Sequence, residues 1–180
     1  MPISRQVVAS LLCVATTVVA AGCSENKLST PEAFCQIPVA KDSLSPLLPK
    51  EGNLKQKRSP ITEPGLKREG ALCNIQVDSQ RILYASVLHY SEKPEPMNWK
   101  AAASPYNHAA RRKVSFPGTA MIAPGNATIR AKCDSTSEYM QFVLDLNGER
   151  VNDSPTGYKK LQKFANDFVP NATKKYGCTS

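Results

Sequence analysis

The chain has few of the residues on which enzyme sites usually depend. Its 180 residues include only two histidines, His89 and His108, and neither has a second ligand at metal-site spacing. It has no Gly-x-Ser-x-Gly elbow, no His-Glu-x-x-His motif and no Cys-x-x-Cys pair. We therefore predict no catalytic residues, no metal and no cofactor, and we expect that the chain is not an enzyme.

The sequence also lacks an apolar run long enough to span a membrane. Residues 7–21 carry no charge and follow Arg5, but they fall short of the roughly 20 residues that a spanning helix needs. This stretch closes on Ala20, Ala21 and Gly22 before Cys23. The order of a basic residue, an apolar core and small residues predicts an export signal over residues 1–22, with acylation of Cys23 at a lipoprotein cleavage box.

One alternative stays open at this box. Ala20 stands where the bacterial lipobox usually has leucine, and cleavage at an Ala-x-Ala-like site would give a soluble secreted protein. The cysteine count favours acylation. Cys13 leaves with the signal, and acylation of Cys23 leaves an even set suited to disulfides in an oxidising compartment. That set is Cys35, Cys73, Cys133 and Cys178.

Removal of residues 1–22 leaves 158 residues, enough for one domain. We assign residues 23–30 to a lipidated tether and residues 31–180 to a single, monomeric domain. Two acyl chains on Cys23, such as palmitate, would hold this domain on the extracytoplasmic face of the cell membrane. The short tether keeps the domain close to the membrane, which favours a function beside membrane-bound partners.

Acidic residues are outnumbered in the mature chain, which has 22 basic and 15 acidic residues and a net charge of +7. The balance favours anionic surroundings, such as phospholipid headgroups, wall polymers or an acidic envelope protein; the alternative is a solvated surface that only keeps the protein soluble. Without a basic motif interleaved with aromatics, we expect no nucleic acid partner.

Residues 50–70 are the most basic window of the chain. We predict an exposed loop with one edge strand there, which is either solvated or binds anions. The candidate anion-binding residues are Lys55, Lys57, Arg58, Lys67 and Arg68.

Hydrophobic periodicity predicts an α+β domain. Residues 71–77 alternate with period two, and a turn at residues 78–80 separates them from a second run at residues 81–90, which predicts a hairpin. The second run is apolar on both faces over residues 82–88, so we expect it in the middle of a sheet that is covered on both sides. Residues 127–133 and 140–146 alternate as well, and Asn147-Gly148 suits a tight hairpin turn. We expect about five to seven antiparallel strands.

Helical spacing from Tyr158 to Tyr176 predicts a long C-terminal helix across this sheet, started by Ser154 and Pro155 and closed by Gly177. Pro170 is expected to kink or split it. Short helices are predicted near residues 30–35, 42–48 and 99–103.

Four cysteines allow three pairings, and spacing alone does not choose between them. We favour Cys35 with Cys73, tying the N-terminal segment to a strand. We favour Cys133 with Cys178, pinning the helix to the sheet.

The lipobox, Phe34-Cys35, the cysteine in residues 71–75, and the closing residues 164–170 with Tyr176-Gly177-Cys178 form a pattern. It resembles small actinobacterial secreted lipoproteins of the Streptomyces kind. Some of these are similar to the PsbP-like fold, which implies an antiparallel sheet flanked by helices. Their motifs are structural, so the resemblance implies roles only for Cys23 and the disulfide cysteines.

We expect a non-enzymatic lipoprotein that binds a protein or ligand. The alternatives are an envelope hydrolase with an unrecognised site and a passive structural lipoprotein.

Overall fold

The computed structural model describes residues 27–62, 68–92, 95–147 and 151–179. The predicted signal peptide and Cys23 lie outside these ranges. The described residues form an α+β fold with a seven-stranded antiparallel sheet, as the sequence predicts. The strands are β1 (Ala33–Phe34), β2 (Ile37–Pro38), β3 (Leu54–Thr62), β4 (Arg68–Val77), β5 (Gln80–Tyr90), β6 (Ala110–Arg112), β7 (Gly118–Ile122), β8 (Asn126–Lys132) and β9 (Tyr139–Leu146). The helices are α1 (Lys41–Leu44), α2 (Trp99–Ala103) and α3 (Lys159–Lys175).

The large sheet has the strand order β3-β4-β5-β9-β8-β7-β6, and β1 and β2 form a separate pair. The β4–β5 hairpin is confirmed. Its turn residues, Asp78 and Ser79, have φ values of 49° and 69°, the left-handed conformation that a two-residue hairpin turn uses. The Asp78 carboxylate accepts a hydrogen bond of 2.9 Å from the Asn53 backbone N–H, which fixes the chain just before β3.

The sheet has one face covered by α3, which we call the covered face, and a second face that we call the open face. Alternate residues of β4, β5, β8 and β9 are fully buried on the covered face, including Ile75, Leu83 and Leu144. The alternate positions of β5 are half-buried. The prediction that both faces of β5 are buried is therefore wrong, although β5 does lie inside the sheet.

The long C-terminal helix is confirmed, and it buries the predicted apolar stripe. Phe164 and Phe168 of α3 stack with ring centroids 5.1 Å apart. Phe34 meets Phe168 at 5.6 Å, and Phe142 of β9 meets it edge-on at 6.2 Å. These rings are fully buried, and they join the N-terminal segment, the helix and the sheet in one core.

Pro170 lies inside α3, and the helix continues through it, so of the predicted kink or split the split is wrong. A proline lacks the N–H that would bond to the carbonyl four residues earlier, at Asn166. The Ser115 hydroxyl donates to that carbonyl at 3.3 Å, and the Ser115 backbone N–H donates to the Asn166 side-chain oxygen at 3.0 Å. The loop before β7 thus supplies the donor that the helix lacks.

The ends of α3 differ in how well they were predicted. Gly177 has φ of 67° and follows the helix as expected, and the Cys178 N–H donates to the Thr173 carbonyl at 2.9 Å. The predicted start at Ser154 and Pro155 is wrong, because these residues form a turn and Tyr158 occupies the cap without a side-chain hydrogen bond.

Two local predictions fail, and the other short helices are confirmed. Near residues 30–35 the chain forms the β1–β2 pair, because Cys35 and Gln36 both adopt positive φ, at 61° and 59°, and reverse it. No hairpin follows Asn147 in the described residues, since β9 pairs with β5 and β8 and the next element is α3; Gly148 itself lies outside the described residues. The predicted turn of helix near residue 42 is α1 with a 3-10 turn at Ser45–Leu47, and α2 matches its prediction.

Both favoured disulfides are confirmed. Cys35–Cys73 ties the β1–β2 turn to β4 across 38 residues, and Cys133–Cys178 ties the end of β8 to the C-terminal end of α3 across 45 residues.

Candidate functional site

The predicted anion-binding residues do not form a single patch. Lys55 and Lys57 pair with Gln76 and Asn74 on the open face, whereas Arg58 pairs with Cys73 and lies on the covered face. Arg68 begins β4, and Lys67 lies outside the described residues. The window that was expected to be mostly a loop contains a nine-residue edge strand. Strand alternation therefore divides the cations between the two sides of the edge.

Positive charge is nevertheless concentrated along β3, the exposed edge strand of the sheet. Lys55, Lys57 and Arg58 are exposed, and no ion pair joins them to another residue in the described part of the chain. A cavity of about 320 Å³, which we call the edge groove, lies between this strand and the β1–β2 turn. Its lining residues are Ala33, Cys35, Gln36, Gln56, Lys57 and Arg58. The lining contains two cations and no carboxylate.

Another cation lies beside the edge groove. The Lys175 ammonium donates to the Gln36 carbonyl at 2.7 Å, which fixes the end of α3 next to the turn. Burial lowers the pKa of Lys175, and the charge of Arg58 lowers it further. Two neighbouring positive charges that repel one another are the electrostatic condition under which an anionic group binds well.

A second basic surface lies where the described chain begins. Lys27 forms a β-bridge with Glu51, and the Leu28 N–H donates to the Lys50 carbonyl at 2.9 Å. Lys27, Lys41 and Lys50 line a cavity of about 670 Å³, which we call the lysine groove. Its other lining residues are Leu28, Thr30, Ser45, Leu48, Pro49 and Glu51.

The lysine groove was not predicted from the sequence. Lys27 falls in the predicted tether and Lys50 in the basic window, and nothing in their spacing relates them. Tertiary contacts bring them together. The Asp167 carboxylate of α3 accepts hydrogen bonds from the Ala40 N–H at 2.7 Å and the Ser43 hydroxyl at 2.6 Å, and this contact fixes α1 and with it Lys41.

A polar cluster lies at the end of the covered face where α3 ends. His89 is only 8% exposed, and neither ring nitrogen has a hydrogen-bond partner among the described residues. Its Nδ1 lies 3.6 Å from the Glu69 carboxylate, and its Nε2 lies 3.4 Å from the Glu138 carboxylate.

The same cluster has the outline of a metal site, since donor atoms of His89, Cys133 and Glu138 lie within 4.8 Å of one another. The Cys133 sulfur, however, is bonded to Cys178 and does not provide a thiolate. The other histidine, His108, is partly exposed and lies 3.9 Å from Asp153. Within the described ranges neither imidazole hydrogen-bonds to a hydroxyl.

A cavity of about 320 Å³ lies between the start of β7, the end of β8 and the loop before β9. Tyr139 contributes to its wall and stacks on Tyr90, with parallel rings 4.6 Å apart. The Arg130 guanidinium lies 4.7 Å from the centre of the Tyr139 ring and donates to the Glu95 carbonyl. Burial raises the pKa of Tyr139 above its usual value of 10.0. The Arg130 Nε atom is buried and has no hydrogen-bond partner among the described residues.

Comparisons with known proteins give no match: no family model, no curated protein and no solved structure is similar to this chain. The resemblance to actinobacterial lipoproteins therefore stays a prediction. Among the described residues, none of the helices has both the length and the apolar composition needed to cross a bilayer.

Proposed function

We propose that the mature chain is a non-enzymatic lipoprotein, anchored through Cys23 at the extracytoplasmic face of the membrane, where it binds an acidic protein or another anionic ligand. The observation that carries the proposal is the use of cysteine. The two disulfides account for all four cysteines after Cys23, so none of them offers Cys23 a partner. Because Cys23 directly follows Ala20-Ala21-Gly22, acylation is the modification that best suits it.

The edge groove and Lys55 form the binding surface in this proposal. Strand β3 is the outer strand of the sheet, so one side of its backbone has no neighbouring strand among the described residues. An extended acidic segment could pair with that backbone and meet the side chains of Lys55, Lys57 and Arg58. Seven of the nine residues of β3 are exposed, which supports this mode of binding.

The anchor is tested by replacing its cysteine. We expect the native protein to enter the detergent phase of a Triton X-114 extract of cells, and a Cys23→Ala variant to be released to the aqueous phase. Cys13→Ala is the matched control and should behave like the native protein, since Cys13 leaves with the predicted signal. Equal membrane retention of Cys23→Ala would contradict the anchor.

The binding surface is tested by crosslinking in living cells. A photo-crosslinking residue at Ser59, which is exposed on β3, should capture one reproducible protein that mass spectrometry identifies. Lys55→Glu with Lys57→Glu should abolish the capture, whereas Lys159→Glu with Lys160→Glu, on the exposed side of α3, should leave it unchanged. Capture that survives the first pair of changes would exclude this edge as the binding surface.

A further inference from the structure

We infer that the lysine groove binds the phosphate groups of anionic lipids in the membrane that holds the anchor, so that the domain rests on the bilayer through this face. The inference rests on the proposed anchor at Cys23. It adds a second binding site, distinct from the edge groove, and it assigns that site to lipid phosphate.

The groove is suited to phosphate by its charge and its shape. Lys27, Lys41 and Lys50 are all exposed, and they surround one cavity of about 670 Å³. Glu51 is the carboxylate in its lining, which leaves an excess of two positive charges. Asp42, next to Lys41 in the chain, is paired with Lys163 at 2.8 Å and so offers its charge to another cation. A lysine ammonium binds phosphate as a compact point charge.

The position of the groove relative to Cys23 selects the source of the phosphate. Lys27 is four residues after Cys23, and four Cα–Cα steps of about 3.8 Å span at most about 15 Å. An acylated Cys23 lies at the membrane surface, so Lys27 lies within that distance of the headgroups. The β-bridge to Glu51 and the hydrogen bond from Leu28 hold Lys50 beside Lys27. The anchor thus brings the groove to lipid phosphate at high local concentration.

The attraction should be measurable and dependent on salt. A basic residue near an anionic membrane strengthens association by roughly five-fold, and the effect decays within a Debye length of about 8 Å at physiological ionic strength. The groove's excess of two positive charges is enough to favour one orientation of a domain that the acyl chains already retain.

The test uses the lipidated mature protein, purified from membranes and reconstituted into vesicles of phosphatidylcholine alone or of phosphatidylcholine mixed with phosphatidylglycerol. Exposed amines are acetylated with an N-hydroxysuccinimide ester, and the rate at each lysine is measured by mass spectrometry. Lys27, Lys41 and Lys50 should react several-fold more slowly on the anionic vesicles. Lys132 is the control, because it is exposed at the opposite end of the strands, and its rate should not change.

Two added measurements, flotation of the protein with each kind of vesicle and acetylation in the presence of glycerol phosphate, distinguish the possible outcomes. Equal rates on both kinds of vesicle, with the protein bound to each, would overturn the inference and leave the anchor intact. Protein that floats with neither kind of vesicle would overturn the anchor and the inference together. Glycerol phosphate added to the neutral vesicles should not protect the three lysines; full protection by it would show a site for a small free anion and would overturn the assignment to the bilayer.

Discussion

The two faces of the sheet use the same strands for different purposes. On the covered face, alternate residues of β4, β5, β8 and β9 are buried against α3. One disulfide joins the end of α3 to the sheet, and the other joins the β1–β2 turn to it. On the open face, the alternate residues of the same strands are mostly half-buried, and polar groups such as Asn74, Ser86 and Thr128 are mixed with apolar ones. Stability is therefore concentrated on the covered face.

The difference between the two faces also indicates which parts of the surface can change to form a binding site. A residue on the covered face is constrained by tightly packed neighbours, whereas a residue on the open face or the outer strand can change at small cost. The exposed cations of β3 and the lysine groove both lie outside the buried layer. The following predictions test this division, beginning with the largest effect.

Truncation of the central ring of the covered face should be the most damaging change. Phe168 is fully buried and contacts Phe34, Phe142 and Phe164, so Phe168→Ala should lower the free energy of unfolding by about 3 to 5 kcal/mol. Val143 is half-buried on the open face, and Val143→Ala should cost about 1 kcal/mol or less. Urea unfolding of both variants measures the contrast. Similar losses would contradict the division between the faces.

The disulfide at the end of the covered face should have the next largest effect. Loss of Cys133–Cys178, which closes 45 residues, should lower the free energy of unfolding by roughly 3 to 4 kcal/mol on chain-entropy grounds. The double change Cys133→Ala with Cys178→Ala leaves no free thiol at this position. Thermal and urea unfolding measure the loss. A double variant as stable as the native protein would show that this disulfide does not constrain the covered face.

The sequence predicted most of the covered face, because burial on one side leaves a strong periodic signal. Residues 71–77 and 140–146 alternate with period two, and α3 shows helical spacing. Strand β3 gave no such signal, since nearly all of its residues are exposed on both sides. Its alternation, which separates Arg58 from Lys57, could not be inferred from an apolar pattern.

The local errors have a common cause in contacts that are distant in sequence. The turn at Cys35 and Gln36 uses positive φ without glycine or asparagine, and the disulfide to Cys73 helps to hold it. The carbonyl that Pro170 leaves without a helical donor is served by Ser115, more than 50 residues earlier. The lysine groove likewise depends on a bridge between Lys27 and Glu51. None of these partners is marked by spacing.

Loss of the hydrogen bond from the Ser115 hydroxyl to the Asn166 carbonyl should have an intermediate effect on the free energy of unfolding. Ser115→Ala removes the hydroxyl that donates to the Asn166 carbonyl, and we expect a loss of about 1 kcal/mol in the free energy of unfolding. Pro170→Ala would restore a helical N–H for that carbonyl. Combined with Pro170→Ala, the serine change should therefore cost much less, which a double-mutant cycle in urea measures. Equal costs in both backgrounds would show that the hydroxyl does not serve this carbonyl.

The smallest effect is expected at the solvent side of α3, where Lys163 donates to Asp42 at 2.8 Å and both side chains are more than half exposed. The hydrogen bond and charge of Lys163 lower the pKa of Asp42 below its usual value of 3.8. Because the folded pKa is depressed, the pair stabilises the fold above pH 3.8 and loses that contribution as the pH falls through the folded pKa. Lys163→Met should raise the Asp42 pKa in an NMR titration, and its small stability difference from the native protein should vanish in acid. Lys160→Met, on the same exposed side, should leave the Asp42 pKa unchanged; an unchanged pKa in Lys163→Met as well would mean that solvent screens this pair completely.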